Sequence, residues 1–97
     1  MKPAGSYRAM FDLSGKVAIV TGGAGILGRH FCSALADHGA AVAIADQDIA
    51  AAEDLAKEIA ATSGTRLLAM PVDLADPSSI AAMIEAVESA LGPVDIL

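Results

Sequence analysis

Basic charge, aromatic side chains, cysteine and long apolar runs are all scarce in this sequence of 97 residues. Lysine and arginine together number 6 against 12 acidic residues, for a net charge of −6 at pH 7 and a pI of 4.5. Such a chain has no basic field to draw in a phosphate polymer or an acidic membrane surface, which excludes nucleic acid and membrane as partners. Aromatics make up 3% of the residues, so the core has to be assembled from small aliphatic side chains, alanine above all. Cys32 is the one cysteine; it excludes an internal disulfide and fits a reducing, cytoplasmic compartment. Mean hydropathy is +0.56. Even so, Asp, His or glycine turns interrupt every apolar run well short of the roughly 18 residues of a membrane span. Residues 1–12 hold no apolar block of signal-peptide kind. What is present, 55% hydrophobic and 19% charged residues, excludes disorder. The length admits one small domain.

Residues 1–12 show no periodicity and contain Pro3, Gly5 and Ser6; they read as a flexible N-terminal arm. Lys16-Val17-Ala18-Ile19-Val20-Thr21 is a continuous apolar run bounded by glycines, the pattern of a strand buried on both faces. Gly22, Gly23, Gly25 and Gly28 follow at once, and Leu27, Phe31, Ala34, Leu35 and His38 then recur at helical spacing up to a stop at Gly39. Ala41-Val42-Ala43-Ile44-Ala45 is a second strand, ending at Asp46. Asp48 reads as the N-cap of a helix with Ile49, Ala52, Leu55, Ala56 and Ile59 on one face, closed by Ser63-Gly64. Arg66 to Val72 is a third strand. Asp76-Pro77 starts a helix with Ile80, Met83, Ile84, Val87 and Leu91 as its buried stripe. Gly92-Pro93 stops that helix, and Val94-Asp95-Ile96-Leu97 begins a fourth strand. The order β-α-β-α-β-α-β predicts an α/β fold with right-handed crossovers and a parallel sheet. Parallel strands need helices on both faces, so residues 13–97 are expected to be part of a larger domain. The apolar stretch Val94 to Leu97 would then be an edge that invites pairing with another chain.

The glycine cluster is the most informative feature. It follows a buried strand, opens a helix, and lies in a βαβ unit of 30 residues from Val17 to Asp46. Unpaired amides at a helix N-terminus carry the positive end of the helix dipole and can hold a pyrophosphate. Glycines let backbone approach phosphate, and helix approach strand, without an intervening side chain. Asp46 lies 18 residues beyond Gly28 at the end of the second strand, where a carboxylate can accept from a ribose 2′-hydroxyl; its alternative role is to start a turn. The pattern predicts dinucleotide binding on a doubly wound parallel sheet of the Rossmann type. A 2′-phosphate about 4 Å from Asp46 would meet repulsion of ~4 kcal/mol per charge pair at an effective dielectric of 20. Gln47, Asp48 and Ile49 bring no compensating cation, so NAD is favoured and NADP disfavoured.

Together these residues resemble the short-chain dehydrogenase/reductase family. Leu13-Ser14-Gly15-Lys16-Val17-Ala18-Ile19-Val20-Thr21-Gly22 is similar to the entry strand of its classical members. Gly92-Pro93-Val94-Asp95-Ile96-Leu97 is similar to the stretch that leads into the family's Asn-Asn-Ala-Gly motif. The resemblance covers residues 11–97. It implies cofactor contacts at Gly22, Gly25, Ile26, Leu27, Gly28 and Asp46, with Asp73-Leu74 as the Asp-plus-aliphatic pair placed against adenine. Ile26 stands where the classical loop, Thr-Gly-x-x-x-Gly-x-Gly, has its middle glycine. The glycine spacing of Thr21-Gly22-Gly23-Ala24-Gly25-Ile26-Leu27-Gly28 instead fits the extended branch of epimerases and dehydratases.

The family's catalytic Asn, Ser, Tyr and Lys lie beyond the Asn-Asn-Ala-Gly motif, so no catalytic residue is carried over. The only tyrosine, Tyr7, is followed four positions later by Phe11, where a Tyr-x-x-x-Lys pair needs lysine. The implied activity of the longer protein is hydride transfer between NAD(H) and a small secondary alcohol or ketone, with tyrosinate as base; a homo-oligomer is expected. The alternatives are a sugar-nucleotide epimerase or dehydratase with tightly bound NAD, and an NAD-binding module without chemistry. No metal site is expected: His30 and His38 lie two turns apart without ligand partners, and Glu85 and Glu88 occupy a solvated helix face. Asp12 and Asp95 read as surface or turn residues. Cys32 reads as a small packed side chain, and Arg29 as a solvated helix residue that could also reach a phosphate.

Overall fold

The computed structural model describes residues 11–97; all but the last two residues of the expected N-terminal arm fall outside it. Strands β1 (Val17–Thr21), β2 (Ala41–Asp46) and β3 (Leu67–Pro71) alternate with helices α1 (Ile26–Asp37), α2 (Ile49–Ser63) and α3 (Pro77–Leu91). The three strands form a parallel sheet in the order β1-β2-β3. In register, Val17 to Thr21 face Ala41 to Ala45, and Val42 to Asp46 face Leu67 to Pro71. The expected fourth strand is present as a single parallel bridge, Ile96 to Ala18, on the other edge of β1. Two backbone bonds form it: Ile19 N–H to the Ile96 carbonyl at 2.9 Å and Ile96 N–H to the Val17 carbonyl at 3.1 Å. One rung is not yet a ladder, and a strand requires consecutive rungs. Asp95 is exposed as expected, yet it fastens this edge. Its carboxylate accepts from Val17 N–H at 3.0 Å while its own N–H donates to the Val17 carbonyl at 2.8 Å.

Alternation along each strand divides the core between two faces. Ala18, Val42 and Ile44 pack against Cys32 and Ala36 of α1 and Ala52, Leu55 and Ile59 of α2. Val17, Ile19, Ala43 and Ala45 turn the other way, onto Met83 and Val87 of α3. Two successive right-handed crossovers in one direction put α1 and α2 on the same face, and α3 covers the opposite one. Ile19, Val42 and Ile44 are among the largest fully buried side chains, each contributing on the order of 1.5–3 kcal/mol by leaving water. Alanines between them keep the helix backbones close to the sheet.

The stripes expected for α2 and α3 are the faces these helices bury, with Ile49, Ala56, Ile80, Ile84 and Leu91 packed at the margins. Helix α1 departs from expectation. It buries Cys32 and Ala36, whereas Leu27 and Phe31 are 67% and 54% exposed. Phe31, Ala34 and Leu35 line an apolar groove of about 380 Å³ with Val20, Ile96 and Leu97. Phe31 and Ala34 thus belong to a second face of α1, beside the edge of β1 that Ile96 bridges, while Leu35 also packs against the core.

The helix ends explain where each element stops. Asp48 caps α2 by accepting from Ala51 N–H at 3.1 Å, and Gly64 closes it in the left-handed conformation at φ +70°. His38 closes α1, its ring Nδ1–H donating to the Ala34 carbonyl at 2.8 Å. Arg66 reaches from the start of β3 to the last carbonyls of α3, at 3.4 Å from Ala90 and 3.1 Å from Leu91, where a cation meets the negative helix end.

Asp76 caps α3, accepting from Ser78 Oγ at 2.7 Å and Ser78 N–H at 3.0 Å, with Pro77 at the first helical position. The Ser78 hydroxyl, then the Ser78 amide, hold the Asp76 carboxyl below the usual carboxylate range. A carboxyl lowered by folding stabilises above its unfolded pKa and loses that stabilisation as the pH falls through its folded value. Asp76→Ala is therefore expected to lower the melting temperature at pH 7. The gap from the unaltered protein should close as the pH drops below about 4, measured by circular dichroism melts across pH.

Candidate functional site

All three strands end at the same border of the sheet, since Thr21 lies beside Ala45 and Asp46 beside Pro71. In open α/β sheets ligands bind outside the carboxyl ends of the strands, where the connections diverge to opposite sides. That point here is the end of β1, between β2 on one edge and Ile96 on the other. The glycine loop occupies it.

Gly22 leaves β1 in the left-handed region at φ +64°, with open space where a Cβ would stand. Gly23 is buried; a Cβ there would lie 2.8 Å from Ile44 Cγ2, 2.9 Å from the Val20 carbonyl oxygen and 3.2 Å from Cys32 Sγ. Gly25 is the N-cap of α1, and a Cβ on it would lie 3.2 Å from the Gly22 carbonyl oxygen. Gly28, in the first turn, packs directly on the Gly22 carbonyl, so a Cβ would overlap backbone. The helix is thereby drawn onto the end of its strand. Where α2 and α3 each have an aspartate cap, α1 has no side-chain cap and no acidic residue in its first turn. Its first-turn amides therefore have no side-chain cap, the condition in which a helix N-terminus can receive an anion.

The other expected site residues converge on this border. Asp46, the last residue of β2, is half-buried; its Oδ2 accepts from Ala24 N–H of the loop at 3.1 Å and its Oδ1 from Asp48 N–H at 2.9 Å. The turn-starting role and a place beside the glycine loop therefore coexist in one carboxylate. Asp73, just past β3, accepts from Ala75 N–H at 3.0 Å, and Gln47 Nε2 approaches its Oδ1 at 3.5 Å. Ser79 Oγ of α3 accepts the Asp73 N–H at 2.9 Å and so fixes this turn. Ile26, Leu27 and Leu74 are 87%, 67% and 57% exposed, an apolar rim on the same border. Arg29 is exposed on α1.

Sequence reasoning placed Gly23 in the glycine cluster and Gln47 beside Asp46 but not the contacts they make, and it missed Ser79. The three contacts that confine Gly23 come from β1, β2 and α1, and no local pattern announces them. Asp76-Pro77 marks the helix start but not the bond from the Asp73 amide to Ser79. Cys32 is packed, as expected: it is fully buried, and its thiol points at the Gly23 carbonyl at 3.8 Å. Burial pushes the thiol up to about 11. Among the described residues no group of three His, Cys, Asp or Glu is placed to hold a metal ion, and no helix is long and apolar enough to cross a membrane.

The family model for short chain dehydrogenases matches residues 16–97. The chain belongs to the short-chain dehydrogenase/reductase family. A probable oxidoreductase of Streptomyces antibioticus is 44% identical over 87 residues, which is 89% of this chain and 28% of that protein. The solved structure of a short-chain type dehydrogenase/reductase from Mycobacterium marinum superposes with a TM-score of 0.84 at 34% identity, covering 90% of this chain and 35% of that one. L-sorbose reductase from Gluconobacter frateurii, solved with NADPH and L-sorbose, superposes at 0.83 and 29% identity over 89% of this chain and 33% of its own. The chain thus spans 28% to 35% of the length of these relatives, and matches the α/β architecture of their N-terminal parts.

Two outcomes follow from the packing. Gly28→Ala is expected to destabilise by about 1–3 kcal/mol, because overlap with backbone outweighs alanine's helix preference; urea denaturation measures it. Cys32 is expected to ignore an aromatic disulfide reagent at pH 7 in the native protein and to react once denatured.

Proposed function

We propose that this chain supplies the adenosine and pyrophosphate half of an NAD(H) site in an oxidoreductase that interconverts a small secondary alcohol and a ketone. The observation that carries the reading is the uncapped first turn of α1, seated on β1 by Gly22 and Gly28 with the Asp46 carboxylate beside it. The cradle fits a dinucleotide: backbone is bare at Gly22 and Gly25, and the α1 amides offer unclaimed positive partial charge. Gly22, Gly25, Ile26, Leu27 and Gly28 would hold the pyrophosphate and its flanks, Asp46 the adenosine ribose, and Asp73 with Leu74 the adenine. The bound nicotinamide would supply the hydride chemistry. The chain's own part is to bind and orient: loop amides donate to phosphate oxygens, and the free lone pairs of Asp46 accept from ribose hydroxyls.

The preference for NAD rests on Asp46 and on the uncharged or acidic side chains at Gln47, Asp48 and Asp73. L-sorbose reductase was solved with NADPH, so membership of the family does not by itself set the cofactor and the preference rests on these residues. The names of the matched relatives, an oxidoreductase and a reductase among them, support hydride transfer over the epimerase alternative. A cytoplasmic setting and a homo-oligomeric longer protein belong to the same proposal; the free, buried thiol of Cys32 suits a reducing compartment.

Titration calorimetry with NAD⁺ and NADP⁺ tests the reading. NAD⁺ is expected to bind more than tenfold tighter, since even half of the ~4 kcal/mol repulsion at Asp46 exceeds tenfold. Absence of binding by either dinucleotide would overturn the site, and equal binding would overturn the cofactor preference alone.

A further inference from the structure

A glycine-rich loop has more backbone freedom than any other kind of segment, so something must hold it in the shape that aims its amides. Two side chains fasten this one. The Cys32 thiol donates to the Gly23 carbonyl across 3.8 Å, a long and weak contact. The Asp46 carboxylate accepts the Ala24 N–H at 3.1 Å, across 22 residues of sequence and from a different strand. Its second oxygen is braced by Asp48 N–H at 2.9 Å, so the carboxylate is itself held still. The neighbouring amides are also engaged, Gly23 N–H by the Ala45 carbonyl at 3.4 Å and Gly25 N–H by the Gly22 carbonyl at 3.1 Å. Of these anchors only the one at Ala24 involves an ionised partner, and such bonds are about twice as strong as neutral ones.

We propose that Asp46 is a positioning residue for the glycine loop: by latching Ala24 it sets the path into Gly25 and Ile26, and so aims the first amides of α1 at a pyrophosphate. The inference rests on the dinucleotide reading above and adds to it a coupling between two subsites. The group that faces the ribose also shapes the phosphate cradle. Replacing Asp46 to admit a 2′-phosphate therefore loosens the loop, and affinity for the phosphates shared by both dinucleotides falls with it.

Amide hydrogen exchange by NMR and binding of inorganic pyrophosphate, a probe without ribose, test the coupling in the unaltered protein, Asp46→Asn and Asp46→Ala. Asparagine retains one carbonyl oxygen as acceptor and alanine retains none. Exchange at Ala24 is expected to accelerate about tenfold or more in Asp46→Ala and less in Asp46→Asn. Amides of Ala43 and Ile44 should keep their protection, and pyrophosphate should bind about fivefold more weakly to Asp46→Ala. If Asp46→Ala loses the strand protection as well, Asp46→Asn decides by the same two readouts. Unchanged exchange at Ala24 overturns the latch, and faster exchange with unchanged pyrophosphate affinity overturns the positioning role. If the unaltered protein binds no pyrophosphate, the dinucleotide reading fails, whereas exchange at Ala24 still decides whether the latch exists.

Discussion

Close approach between the first turn of α1 and the end of β1 is the constraint on which the rest of the structure depends. Gly28 rests on the carbonyl of Gly22, and Gly23 is confined by a β1 carbonyl, an Ile44 methyl and the Cys32 sulfur. No residue with a Cβ fits either place without moving backbone or core. Once that seat is taken, α1 meets the sheet through Cys32 and Ala36, side chains small enough to keep the approach. Its N-terminal amides then emerge at the carboxyl border of the sheet. The packing requirement and the chemical one are met by the same glycines.

The remaining core follows the same logic of small residues at close quarters. Alanines at 18, 36, 40, 43, 45 and 52 are buried, and the larger Ile19, Val42 and Ile44 fill the space between sheet and helices. Because β1, β2 and β3 progress in one direction, α1 and α2 share a face and α3 takes the other. The chain then returns to pair Ile96 with β1 on its opposite edge. That reversal opens the crevice in which the glycine loop sits. It also leaves the apolar groove beside Phe31 and Leu35.

Electrostatics divide the helix ends by task. Asp48 and Asp76 each accept an amide at the start of their helix, Ala51 N–H in α2 and Ser78 N–H in α3. At α1 the cap is a glycine without a side-chain bond, and the Asp46 carboxylate accepts from the loop amide of Ala24. Under the proposed dinucleotide reading, that charge would lie on the ribose side of the loop and away from the phosphates.

Much of this was legible along the chain. Uninterrupted apolar runs mark strands covered on both sides, and Asp48 and Asp76-Pro77 mark helix starts, because each of those signals is local. The glycine cluster followed by an acid at a strand end marks the proposed site for the same reason. The burial of α1 was not legible: its apolar spacing singles out Leu27 and Phe31, yet the seat at Gly28 rotates Cys32 and Ala36 onto the sheet instead. Nor was the reduction of Val94 to Leu97 to one bridge, since strand pairing depends on neighbours as well as on propensity. By itself the sequence determined the order of the helices and the first three strands, their caps and the position of the glycine loop between β1 and α1, because these depend on residues a few positions apart. Only the tertiary structure decided which face of α1 is buried, that Gly23 is wedged between two strands and a helix, and that Asp46 holds Ala24. Those are contacts between segments that the chain separates and the sheet brings together.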